Sequence, residues 1–282
     1  VTEVDTLLAD PFAFFARNAL GLRALDPLDA EPTPAWRGTM VHEVLEQWLK
    51  NSNGSSDAIQ PLIEQLLTRP GVSPVLRALW APRLFPPLQW AVEAIVDAKR
   101  FEGREPLLDA SEERGAMELA GVQLSGKPDR IDRLADGSLA IVDYKTGSGP
   151  NKNSVDKLFA LQLGLLGLIA QRGGFTKRPE QVTSFEYWRM NRAGSGPRKG
   201  QFGWADTPFK KKDAAINADN YVLASRDRLV AAIERWLTGD DIFTAKLEPE
   251  FALYADFDQL MRLEEWHGRE SETATSQAGQ GA

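Results

Sequence analysis

The apolar positions run at a helical period over about the first 100 residues, then shift toward a strand pattern between about 107 and 145, then mix the two. Residues 2–20 suit two short helices. Leu7, Leu8, Phe12, Phe14, Phe15 and Leu20 form an apolar surface there, with Thr2 as a cap and Pro11 in the first turn of the second helix. Residues 21–35 read as loop. Over 36–50, Met40, Val41, Val44, Leu45, Trp48 and Leu49 recur at helical spacing, with His42 beside the stripe and Glu46 one turn on. Helices are expected at 57–68 and 74–100, started by Ser73-Pro74, and Pro82, Pro86 and Pro87 should break the latter into two.

The strand candidates are 107–114, 116–123, about 127–134, and 138–145. Asp136-Gly137 marks a two-residue hairpin turn of the primed type, in which glycine supplies the positive φ. An apolar helix follows at 155–171, capped by Asn153 or Ser154 and carrying Gln162 among Leu158, Leu161, Leu165 and Leu166. Then come a strand at 182–190, a Gly-, Lys- and Arg-rich loop at 191–211, a helix at 214–237 and a short one near 257–266. The last residues, 267–282, read as a disordered tail. The pattern as a whole is α/β: a central mixed sheet flanked by helices, with a mainly helical N-terminal region.

Composition narrows the function. The chain has no cysteine, which excludes disulfides, thiolate metal sites and a cysteine-held iron–sulfur cluster. It has no apolar run long enough for a membrane span, no signal-peptide pattern and no Walker A loop, so a cytoplasmic protein without its own ATP site is expected. Val1 rather than Met suggests a fragment of a longer chain or a processed one. Net charge is −7, which argues against autonomous nucleic-acid binding. The segment 172–212 nevertheless carries ten Lys/Arg against three Asp/Glu, interleaved with aromatics. Its loop cations Arg192, Arg198, Lys199, Lys210, Lys211 and Lys212 are candidates for contact with a DNA strand or partner, or are simply solvated.

The candidate chemistry lies in GKPDRIDRLADGSLAIVDYKTG, residues 126–147. A hairpin brings Asp129 and Asp143 to one end of a sheet, and Asp143 and Lys145 share a strand face while Tyr144 points to the other. Paired carboxylates suit Mg²⁺ or Mn²⁺, and a neighbouring lysine suits stabilisation of phosphoryl-transfer charge. By themselves these residues are equally a charged surface hairpin, and His42 alone is equally a packed or capping residue.

Four motifs in order, GTMVHEVLEQW, GKPDRID, IVDYKTG and LQLGLLGLIA, resemble the RecB-type nuclease domain of the PD-(D/E)XK superfamily. With the opening DPFAFFARNALGLRALDPLDAEPTPAWRGTMVHEVLE, the fit is best to the C-terminal nuclease domains of AddB-type members of bacterial AddAB helicase–nucleases. The resemblance implies one nuclease domain over 1–266, helical to about 100 and with its catalytic core at 105–266. It implies metal ligation by His42, Asp129, Asp143 and the Tyr144 carbonyl, catalysis by Lys145, and support and substrate contact from Gln162. Glu112 or Glu113 is either a match to an upstream acidic position or part of a solvent-exposed strand end, and Asp132 has a supporting role. It further implies Mg²⁺, with Mn²⁺ as an alternative, and single-stranded DNA or DNA ends as substrate. An AddA-like partner and a nucleoid-associated role in double-strand break repair follow, as either an active exonuclease-type enzyme or an inactive DNA-binding or scaffold module of the same complex.

Two departures stand out. Many AddB-type domains hold an iron–sulfur cluster through cysteines, one in a Cys-Pro pair that here reads Asp10-Pro11. Packing by Phe12, Phe14, Phe15 and Trp36 is expected to take over that staple. No tyrosine follows Gln162 on its helix, where Leu165 and Leu166 stand instead.

Overall fold

The computed structural model describes residues 1–23, 34–51, 55–69, 72, 74–107, 114–211, 214–252 and 256–261. Ser73, Glu112, Glu113, Lys212, the tail 267–282 and the second half of the helix expected near 257–266 therefore lie outside the described residues. The chain forms two compact units, one comprising Val1 and Leu28–Val230, the other Thr2–Pro27 with Ala231–Ala282.

The smaller unit joins the two ends of the chain. Helices α1 (Val4–Ala9) and α2 (Pro11–Asn18) start it. Thr2 caps neither of them: Glu3 precedes α1 without a side-chain cap, and Asp10 caps α2 by accepting from the Ala13 amide. Phe15 stacks on Phe243 at 5.0 Å, Phe12 packs against Ala13, Ala16 and Phe257, and Arg17 pairs with Asp256 at 3.1 Å. Trp36 lies in the larger unit, edge-on to Trp80 at 5.3 Å.

In the larger unit, α3 (Pro34–Asn51), α4 (Ile59–Leu67, entered by a 3₁₀ turn) and α5 (Pro74–Glu102) form one helical layer. Their buried stripes meet in a core of Val41, Val44, Leu45, Trp48, Leu84 and Leu88 with further apolar side chains. α5 is one helix of 29 residues, not two, although Pro82, Pro86 and Pro87 lie inside it. An interior proline costs about 3 kcal/mol through its missing N–H and its clash with the preceding turn. Here Pro82 and Pro86 face solvent, where water can serve the freed carbonyls, while the opposite stripe from Trp80 to Ile95 stays continuously buried.

The strands that follow are β1 (Glu105–Pro106), β2 (Gly115–Leu119), β3 (Val122–Gly126), β4 (Arg130–Arg133), β5 (Leu139–Lys145), β6 (Val182–Arg192) and β7 (Phe202–Asp206). Five of them make the central sheet, in the order β1-β4-β5-β6-β7, and only β5 and β6 are parallel. β2 and β3 form a separate hairpin. The strand expected at 116–123 is thus two strands, reversing at Ala120-Gly121, both at positive φ. The two-residue turn falls there and not at Asp136-Gly137. The β4–β5 connection is instead a three-residue loop: Leu134 donates to the Ser138 carbonyl, and Gly137, at φ 86°, donates back to the Leu134 carbonyl. β7 occupies part of what reads in sequence as loop.

The continuous helix expected at 155–171 is broken. α6 (Lys152–Asp156) is capped by Asn151, and α7 (Gln162–Gln171) begins only after Leu158 has turned to φ 58°. The Tyr221 hydroxyl, at the start of α8 (Tyr221–Ala232), donates to the Ala160 carbonyl at 2.5 Å and holds the break. α7 then packs against α8 through Gly164 and Gly167, which lie against Ser225, Tyr221 and Val222. The sheet is therefore enclosed on both faces. Val142, Tyr144, Trp188 and Met190 face the α3–α5 layer. Asp143 and Lys145, odd-numbered on the same strand, face the other way, toward α7.

Candidate active site

The end of β5 gathers side chains from both layers. Asp143 is buried, with one carboxylate oxygen accepting from the Gln162 amide at 2.9 Å and the other 2.6 Å from the Lys145 ammonium. Gln162 reaches it because α7 starts at that residue; an unbroken helix from 155 would carry it two turns into the helix. From the other layer, α3 delivers His42. Its Nδ1 lies 3.0 Å from Asp129 Oδ1, and its Nε2 lies 3.0 Å from the Tyr144 carbonyl. The second Asp129 oxygen accepts from the Tyr144 amide at 2.8 Å, so the main chain of Tyr144 is gripped from both sides. His42, Glu46, Lys127, Pro128, Asp129 and Tyr144 line the cleft that opens here.

The electrostatics follow from this packing. Burial pushes the Asp143 carboxyl up, Asp129's negative charge pushes it the same way, and Lys145 only partly offsets them, leaving it at about 6. Burial opposes charge on His42, but the hydrogen bond and charge of Asp129, with Asp143 behind it, outweigh that and raise its pKa. Both neighbours of the imidazole are oxygens, so both ring nitrogens donate in the imidazolium form. Glu46 at the cleft lip holds Lys127 at 2.7 Å and Lys50 at 2.9 Å, and its carboxyl is lowered because these two cations outweigh burial.

The loop after Lys145 is pinned by donors. Arg37 donates to the Thr146 carbonyl at 2.7 Å, Asn191 to Gly147 at 3.0 Å, and Arg189 to Ser148 and Pro150. None of these donors is singled out by sequence spacing, since each lies at least 39 residues from its acceptor.

Of the sequence-derived site residues, His42, Asp129, Asp143, Tyr144, Lys145 and Gln162 converge on one strand end. Asp132 lies in the sheet and pairs with Arg130 at 2.9 Å. Three of the basic-segment residues have partners in the structure. Arg192 donates to the Gly200 carbonyl, Arg198 lies 4.0 Å from Asp206, and Lys210 pairs with Asp156 at 2.8 Å. Lys199 and Lys211 are exposed.

The donor set of two carboxylates, a main-chain carbonyl and an imidazole is chemically suited to Mg²⁺ or Mn²⁺. Among the described residues no three acidic or histidine side chains already converge on a single ion position. Instead the His42 ring and the Lys145 ammonium lie directly against the two carboxylates.

A mixed sheet with an aspartate and a lysine two residues apart at a strand end, an aspartate just before the adjoining strand and helices on both faces defines a nuclease class. The chain belongs to the PD-(D/E)XK nuclease superfamily, whose family model matches residues 1–270. An uncharacterized protein of Rickettsia conorii is 28% identical over 187 residues, which are 63% of this chain and 22% of that protein. An ATP-dependent helicase/deoxyribonuclease subunit of Streptococcus agalactiae is 25% identical over 165 residues, 56% of this chain and 15% of the relative. The protein of the same name in Streptococcus mutans is 28% identical over 163 residues, 55% and 14% respectively. The chain thus spans about a fifth or less of the length of these relatives. The absence of cysteine leaves no cysteine-held iron–sulfur cluster, and no helix among the described residues is long and apolar enough to cross a membrane.

Proposed function

We propose that this chain is a divalent-metal-dependent deoxyribonuclease domain. In this reading it hydrolyses phosphodiester bonds of single-stranded DNA or DNA ends, exonuclease-fashion, beside an AddA-like helicase partner in double-strand break repair at the nucleoid. The observation that carries the reading is the meeting of His42, Asp129, Asp143, Lys145 and Gln162 at one strand end in a chain of a nuclease superfamily. The names of the streptococcal relatives support the helicase context.

Asp129, Asp143, the Tyr144 carbonyl and His42 would hold the metal, Mg²⁺ or alternatively Mn²⁺. Such an ion polarises the scissile phosphate and lowers the pKa of water. Gln162 keeps the Asp143 carboxylate in one orientation, and Asp143 keeps the Lys145 ammonium at the strand end. Lys145 offsets the negative charge that grows on the phosphate as water adds and the P–O bond breaks. The acidic net charge suits a domain that binds DNA weakly alone and acts when tethered to a larger assembly.

Lys145→Ala should lose Mg²⁺-dependent cleavage of end-labelled single strands by at least about 100-fold, with cooperative unfolding retained. Cleavage at the wild-type rate by the folded variant would sink the assignment.

A further inference from the structure

Behind the site lies a second group of charges that the reaction does not use. Arg130 is 1% exposed, buried as deeply as the apolar core around it. Its Nε lies 2.9 Å from Asp132, its Nη1 donates to the Tyr144 hydroxyl at 3.0 Å, and its guanidinium lies over the Trp188 ring at 3.9 Å. The ring of contacts closes through Glu186. That carboxylate accepts from the Trp188 indole at 2.9 Å and takes both Arg104 amino groups, at 2.7 and 3.1 Å, while Arg104 lies 3.7 Å from Asp132. Buried ion pairs are no more stabilising on average than apolar residues of the same volume. Stability alone therefore does not account for a charged side chain at this depth.

Tyr144 connects this ring to the site. Its hydroxyl is held by Arg130, its ring stands edge-on to His42 at 5.9 Å, and its amide and carbonyl hold Asp129 and His42. Arg130 also follows Asp129 directly in the chain, so its burial fixes the backbone on which that carboxylate stands. We propose that Arg130 is a positioning residue of the nuclease site. It sets the placement of Asp129 and of the Tyr144 carbonyl, through the Tyr144 ring on one side and the adjoining backbone on the other, and so tunes the affinity of the site for its divalent ion. The proposal rests on the nuclease reading above.

Residues behind a metal site that orient its ligands change metal affinity by about 10- to 100-fold when altered. Tyr144→Phe removes only the hydroxyl that Arg130 holds, and Arg130→Met keeps an apolar chain in place of the arginine stem and removes the guanidinium. Mn²⁺ binding is measured on the whole protein by the loss of the free-ion electron paramagnetic resonance signal, beside thermal unfolding and cleavage against Mn²⁺ concentration. Weaker Mn²⁺ binding by about ten-fold in each folded variant is expected, with the half-saturating Mn²⁺ for cleavage rising by the same factor and the rate recovering at high Mn²⁺. A purely structural role would lower the unfolding temperature and leave the affinity of the folded protein unchanged, which would overturn the proposal. Should Arg130→Met fail to fold, Tyr144→Phe decides. No Mn²⁺ binding by the wild-type protein would instead bring down the nuclease reading, and this proposal with it.

Discussion

Two groups of four charges, each with two acids and two bases, gather around strands β4 to β6. At the strand end stand Asp129, Asp143, His42 and Lys145. On the face toward α3–α5 stand Asp132, Glu186, Arg104 and Arg130. In the second group the Arg104 guanidinium meets the Glu186 carboxylate with two nitrogens and outweighs burial's penalty there, so the Glu186 carboxyl is lowered. The first group uses point donors, His42 and Lys145, with side chains 34% and 22% exposed, and it leaves the carboxyl of Asp143 raised. Equal charge counts thus give a carboxyl held toward its charged form in one place and one pushed toward its neutral form in the other. The strand end is where an added cation would offset most, because the raised Asp143 carboxyl also feels the negative charge of Asp129.

Exchanging carboxylates for amides should separate the two groups. Glu186→Gln keeps the shape but strips Arg104 of its bidentate partner, and breaking a buried pair costs about 3–5 kcal/mol. Denaturant unfolding should show that loss. Asp143→Asn should abolish Mg²⁺-dependent cleavage while leaving stability against unfolding above pH 7 in a chelator unchanged or higher. If the two variants lose equal stability, the contrast between the groups fails.

The pH dependence of the metal-free protein is a smaller effect. The folded protein binds the Asp143 proton more tightly than the unfolded chain does, about 6 against 3.8, so it gains from protonation. That contribution is present in full below the unfolded value and is lost as pH rises through about 6. Melting temperature compared with that of Asp143→Asn, in a chelator, should therefore show a relative decline from about pH 4 to 6 and a plateau above. A difference that stays constant over this range would contradict the raised pKa.

The smallest expected effect concerns the loop behind Lys145. Gly149 is at φ 60°, and a Cβ there would lie 3.0 Å from the Lys145 Cγ. Gly149→Ala should displace the lysine stem and slow cleavage several-fold, with DNA affinity nearly unchanged in a binding assay. A wild-type rate in that variant would show that the lysine is held by Asp143 alone.

Much of this molecule is readable from its residues. The stripe of α3, the alternation of β5 and the capped start of α2 are local patterns, set by helical and strand periods within a few residues of each other. The site residues are named by motifs, each also local: an Asp and a Lys two apart, an Asp before Arg130, a His beside an apolar stripe. What local patterns miss are the outcomes of contest between distant groups. α5 stays whole through three prolines because its buried stripe outweighs them, and the helix at 155–171 breaks because Tyr221 takes the Ala160 carbonyl from another helix. Nothing near Arg104 in the chain announces Glu186, 82 residues away, nor does anything near His42 announce Asp129, 87 residues away. Sequence by itself determined which side chains are on hand and the face of the element each occupies. Only the tertiary structure decided which charges are sealed into a closed ring and which are left exposed at a strand end, because that depends on burial and on partners the chain brings together only when folded.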